Sequence, residues 1–252
     1  MILLAYTLAR FVDLPARELI IQMPGLFISI PINMRTAVAF LAAGLTASGA
    51  DWLLRDHPAA QNQIIIQHWI LPALSAWVLG IPLFLLPMGV LWWVVYAIGG
   101  TVLISVLIAE YIVIDPGDVR HTLAASILTA VSFVLFLILA IFLRSAGLRL
   151  FWTLPALMLA AGLVSVRSFH LWLQGRWKLA EAGVIAVVVG QILAALHYWP
   201  ASPVSYGLAL LGPAYALTSL FIRLAEGESL RQALPEPVLV LIVILGGAWW
   251  LR

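Results

Sequence analysis

The fold class this sequence predicts is all-α: a polytopic transmembrane helix bundle of about eight spans, preceded by an N-terminal interfacial amphipathic helix. Three observations predict it. Hydrophobic residues make up 64% of the 252 and charged residues only 10%, against about 25% charged in soluble domains. A water-soluble fold of this size could not hide so much apolar surface, so lipid must be the solvent for much of it. Apolar runs close to the ~20 residues a span needs recur along the chain, parted by short polar or Pro-bearing connections.

Taken in order, residues 1–33 are read as an interfacial helix and a connector, and 34–252 as one transmembrane domain. Arg10, Asp13 and Arg17 fall at i, i+3 and i+7, so they share a face that Leu4, Leu8 and Phe11 avoid. The apolar start precedes the first positive charge, the wrong order for a cleaved signal peptide. Pro24-Gly25 reads as a turn and Asn33 as an N-cap.

The first span is expected at Thr36–Leu54, where Ala39, Ala43 and Ala47 make a small-residue row that ends on Asp51. The second covers Ile64–Leu86, with Pro72 and Pro82, and opens on Gln67-His68-Trp69. The third covers Val90–Ile108, with Trp92 and Trp93 as interface anchors. Asp115-Pro116-Gly117-Asp118 reads as a turn. Spans at Leu123–Leu143, Phe151–Val166, Ala182–Tyr198, Val204–Ile222 and Val238–Leu251 follow, the sixth with a second small-residue row, Ala182, Ala186, Gly190 and Ala194.

An even number of crossings puts both termini on one side. Alternation then sends nine of the eleven acidic residues and four of the five His to the opposite, far side. Lys and Arg divide six to seven between the sides, so they leave orientation open. The three Arg ahead of the first span tip the expectation toward termini in the cytoplasm.

The candidate polar or ligand cluster is Asp51, His57, His68, Glu110, Tyr111, Asp115, His121, Arg167 and His170, all on the far side. Imidazoles and carboxylates are the ligands a Zn or Fe site uses. No His-Glu-x-x-His or Glu-x-x-His spacing occurs, however, so a metal, haem or pigment site is the lesser reading and no cofactor is expected. Glu110 ends the third span and is read as a proton carrier if it lies deep, and otherwise as a member of an ion pair with Arg120, Arg167 or Arg223 or as plainly exposed. Gln191, inside the sixth span, requires a partner helix. Arg167, Arg176 and Lys178, with Trp172 and Trp177, suit anionic lipid headgroups.

Several classes are excluded. No basic stripe suits nucleic acid. The chain has no Cys, hence no disulfide, thiolate ligand or Cys nucleophile. No P-loop, Gly-x-Ser-x-Gly or Gly-x-Gly-x-x-Gly motif occurs. One short echo, Trp69-Ile-Leu-Pro-Ala-Leu74 and Trp152-Thr-Leu-Pro-Ala-Leu157, would be inverted across the membrane, as in some transporters.

The runs Asp51-Trp-Leu-Leu-Arg-Asp-His-Pro58, Gln67-His-Trp-Ile-Leu-Pro72 and Ala109-Glu-Tyr111 resemble an uncharacterised family of bacterial polytopic integral-membrane proteins. The resemblance covers most of the chain, and it implies a class but no activity. Three functional expectations follow. The first is a non-enzymatic scaffold, docking protein or accessory subunit that meets the lipid bilayer, anionic headgroups or another membrane subunit. The second is a small permease or lipid-handling transporter. The third is an intramembrane metal- or haem-binding enzyme using the far-side His and carboxylates.

Overall fold

The computed structural model describes Thr7 and residues 17–23, 26–32, 34–58, 66–173 and 175–251. Its contacts divide the chain into two compact units, Met1–Asp118 and Val119–Arg252. Among the described residues, seven helices are long and apolar enough to cross a membrane, and an eighth apolar helix is shorter.

The N-terminal unit opens on an antiparallel hairpin, β1 (Arg17–Met23) and β2 (Leu26–Ile32), in register from Arg17 opposite Ile32 to Met23 opposite Leu26. This corrects residues 17–23 of the helix expected over residues 1–23, while Thr7, the one described residue before them, is helical. The charge periodicity of Arg10, Asp13 and Arg17 stops at Arg17, and Leu-Ile-Ile and Ile-Ser-Ile-Pro-Ile supply the β-branched composition that strands favour. The rest of the expected helix apart from Thr7, the Pro24-Gly25 turn and the expected N-cap Asn33 lie outside the described residues.

Three helices follow: α1 (Met34–Arg55), α2 (Ile70–Leu85) and α3 (Val90–Val113). A 3-10 turn, Ile66–His68, leads into α2. The buried row on α1 is Val38, Ala42, Thr46, Ala50 and Leu54, an i+4 repeat one position before the expected Ala39-Ala43-Ala47-Asp51 seam. Small residues at that spacing let α2 approach closely. Trp92 is 1% exposed and packs with Val38, Ala42 and Leu83, so it is no interface anchor. Its indole N–H donates to the Leu83 carbonyl at 2.9 Å, satisfying an orphan acceptor in the last turn of α2. Trp93, beside it, stays exposed.

The C-terminal unit holds α4 (His121–Ser145), α5 (Leu150–Trp172), α6 (Leu179–Leu196), α7 (Pro203–Ala225) and α8 (Pro235–Trp250). Helix α7 packs on α4, α6 and α8, and α5 packs on α4 and α6. Close approach is built in: a Cβ at Gly207 of α7 would lie 2.9 Å from Ile141 Cγ1 and Leu137 Cδ1 of α4. Ser202 caps α7, its Oγ accepting the Ser205 N–H at 3.1 Å. Arg144 closes the end of α4 by donating to the carbonyls of His197 (2.5 Å) and Trp199 (2.7 Å), with its guanidinium over the Tyr206 ring.

Hydroxyls inside the helices turn back on their own backbones. Thr46, Ser75, Ser132, Ser168 and Thr218 each donate to the carbonyl four residues earlier, at 2.6–2.8 Å. In lipid, no water is present to take those protons.

Candidate functional site

Most of the sequence-derived cluster falls in the N-terminal unit, where the end of α1, the start of α2 and the end of α3 meet. Helix α3 runs to Val113, five residues past the expected Ile108, so Glu110 lies within the helix and not at its edge. Its side chain is fully buried, and its Oε2 lies 2.6 Å from Nδ1 of His68, itself 4% exposed. An ionised carboxylate only accepts, so in that state the imidazole proton sits on Nδ1. The sequence offered arginines as partners for Glu110; the partner its own unit supplies is an imidazole 42 residues earlier.

Around this pair, Asp51 accepts from the Arg55 guanidinium at 2.8 Å and from the Trp69 indole N–H at 3.2 Å, which ties α1 to the start of α2. The His57 ring meets the Tyr111 ring edge-on, centroids 4.5 Å apart. Asp115 stays in its turn, its carboxylate accepting the Gly117 N–H at 2.9 Å. A buried imidazole–carboxylate dyad can hold or pass a proton, and it can orient a metal ligand. Among the described residues no three His, Asp or Glu side chains gather closely enough to hold a metal ion.

The remaining candidates lie in the C-terminal unit. His121 is the first residue of α4. Arg167 is buried in α5 at 2% exposure, which does not suit a headgroup grip. His170, half-buried in the last turn of α5, faces Trp177 with ring centroids 5.1 Å apart. Its carbonyl accepts the N–H of Gly175, which takes a φ of +80° that only glycine adopts readily. Lys178 is spent on Glu181 at 2.6 Å. Gln191 lies on an exposed face of α6.

The same unit also forms a cavity of about 270 Å³ that the sequence reading did not single out. Its floor is aromatic, from Phe133, Trp172 and Tyr215, and its rim is charged, from Arg223, Glu226, Glu228 and Glu236. Gly227, at φ +94°, ends α7 and turns the chain so that the Glu228 N–H donates to the Arg223 carbonyl. That turn brings the Glu228 carboxylate to 3.4 Å from the Arg223 guanidinium, which also pairs with Glu236 at the start of α8. Three carboxylates thus stand against one guanidinium, and Glu226 has no side-chain partner among the described residues.

The walls divide into used and unused polar atoms. Thr129 accepts from the Trp172 indole N–H at 3.1 Å, and Thr218 pairs with Ser165 at 3.0 Å. The hydroxyls of Tyr215 and Ser219 have no hydrogen-bond partner among the described residues. A signal for this site was present: Tyr215, Thr218, Ser219, Ile222 and Arg223 fall at i, i+3, i+4, i+7 and i+8, a largely polar stripe on an otherwise apolar helix.

Among the described residues, seven helices long and apolar enough to cross a membrane, with an eighth shorter one, are those of a multi-pass helical membrane protein. More particularly, the chain belongs to the family described as proteins of unknown function, DUF5656, whose model matches residues 14–251. No curated protein and no solved structure matches it.

Proposed function

We propose that this is a non-enzymatic protein of a bacterial inner membrane, with cytoplasmic termini, that docks amine-bearing lipid headgroups in the cavity between α4, α5, α7 and the start of α8. One observation carries the reading: an aromatic floor lies beneath a rim whose carboxylates outnumber its guanidinium three to one. Carboxylates pair with ammonium groups, and aromatic faces attract them through the ring quadrupole. The unused hydroxyls of Tyr215 and Ser219 offer hydrogen bonds to the polar atoms that follow an ammonium group along a headgroup. Arg223 is already held by Glu228 and Glu236, so an anionic headgroup would meet net repulsion here. The cavity is slightly below the usual ~300–1,000 Å³ of small-molecule sites, which suits a headgroup better than a bulky substrate.

The test is competition in mixed vesicles. Protein released from equal parts phosphatidylethanolamine and phosphatidylglycerol and weighed intact retains the ethanolamine lipid preferentially. Glu226→Gln combined with Tyr215→Phe reduces that retention about tenfold, the equivalent of ~1.4 kcal/mol. Equal retention of the two lipids, or retention unchanged in the double variant, refutes the reading.

A further inference from the structure

Helix α6 shows a second surface, distinct from the headgroup cavity and independent of that reading. Its outward face carries Ala180, Gly183, Val184, Val187, Gln191 and Ala195, all exposed. The row 180, 184, 187, 191 steps by four, three and four residues, the seam spacing of a left-handed helix pair. Gln191 is thirteenth of the eighteen residues of this apolar helix, roughly 18 Å from its start and about 8 Å from its end at 1.5 Å per residue. A hydrocarbon core of ~30 Å encloses that position. The carboxamide has no hydrogen-bond partner among the described residues, and lipid tails offer none. Unlike Lys or Arg, a glutamine is too short to snorkel out from such a depth.

We infer that α6 pairs with α6 of a second copy of this chain, through Gln191 on the twofold axis. The occupant follows from the chemistry of the group. A carboxamide is both donor and acceptor, so two copies related by a twofold satisfy each other with the same residue, as an isologous contact demands. Room for the approach exists: a Cβ at Gly183 would meet no atom within 4 Å, and Ala180 and Ala195 keep the two ends of the seam thin. A single polar residue in such a seam also fixes register.

The chain contains no cysteine, which makes a disulfide test unambiguous. Full-length Val187→Cys, oxidised in dilute lipid vesicles, forms a disulfide-linked dimer. Leu159→Cys, equally lipid-facing on α5, does not. Adding Gln191→Leu to Val187→Cys lowers the crosslinked fraction at least fivefold, and adding Gln191→Asn, which keeps both hydrogen-bonding functions, retains most of it. A thermal unfolding midpoint unchanged in Gln191→Leu shows that the protomer itself is intact. The inference is overturned if Val187→Cys crosslinks no better than Leu159→Cys, or if Gln191→Leu leaves the crosslink unchanged. It is equally overturned if the purified chain stays monomeric and Val187→Cys, in membranes, crosslinks only to a different membrane protein.

Discussion

Replacing Glu110 by alanine tests whether the buried dyad holds the N-terminal unit together. The variant removes the acceptor 2.6 Å from His68 Nδ1, in a place with no exposure to solvent. Losing a hydrogen bond to a charged group costs about 1.5–3 kcal/mol. The void left by the deleted carboxyl and methylenes adds roughly 1 kcal/mol. The sum, ~2.5–4 kcal/mol, overlaps the ~3–5 kcal/mol measured when one member of a buried pair is removed. For a unit of this size such a loss lowers the unfolding midpoint by on the order of 10 °C. The assay is thermal unfolding in detergent for wild type, Glu110→Ala, His68→Ala and the double variant. If the pair acts as a unit, the double variant costs less than the two singles together by at least ~1.5 kcal/mol. Strict additivity, within about 0.5 kcal/mol, refutes the reasoning. Glu110→Gln, which keeps an acceptor oxygen, recovers part of the loss.

Two further outcomes follow from the C-terminal unit, the second compared with a control on α1 of the N-terminal unit. Burial first, and then the nearby Arg144 guanidinium, hold the His197 imidazole below its ordinary range. A folded-state value below the unfolded one means that the folded unit resists the proton. Its contribution is complete above the unfolded value of ~6.5 and is lost as pH falls through the folded value. Unfolding midpoints measured from pH 7.5 down to 5 therefore fall in wild type and fall less in His197→Gln; parallel curves would count against this. Gly207→Ala forces a Cβ to within 2.9 Å of Ile141 and Leu137 and destabilises by about 1–3 kcal/mol. Gly49→Ala meets nothing within 4 Å, and with alanine's better helix propensity it stabilises by up to ~1 kcal/mol. Equal effects of these two changes on the unfolding midpoint would show that α7 does not pack as described.

The spans were legible because hydrophobic length and bilayer thickness determine them together, and Pro87-Met88-Gly89 and Trp199-Pro200 mark ends that no neighbouring helix needs to specify. Glu110 was placed too shallow for a local reason. Cutting α3 at Ile108 removes five residues, roughly 7.5 Å of helix at 1.5 Å each, and that length separates a rim carboxylate from a buried one. Its pairing with His68 spans 42 residues of chain, and no spacing rule reaches that far. Trp92 and Trp93 look identical in sequence, yet one caps α2 and the other faces outward, because their side chains leave α3 about 100° apart. The cavity of the C-terminal unit left its mark on α7 as the stripe from Tyr215 to Arg223. Its second half, Glu228 and Glu236, comes into place only because Gly227 turns the chain back.

The self-bonded hydroxyls bear on how such a chain is assembled. A serine or threonine that donates to its own preceding turn is satisfied as soon as that rod coils, before any neighbour arrives. Each segment can therefore be released into the bilayer alone without carrying a dangling proton. Thr46, Ser75 and Ser132 then exert no pull on the sequence of docking events. That influence passes to the few polar groups that must wait for another helix, and above all to His68, whose partner Glu110 comes 42 residues later in the chain.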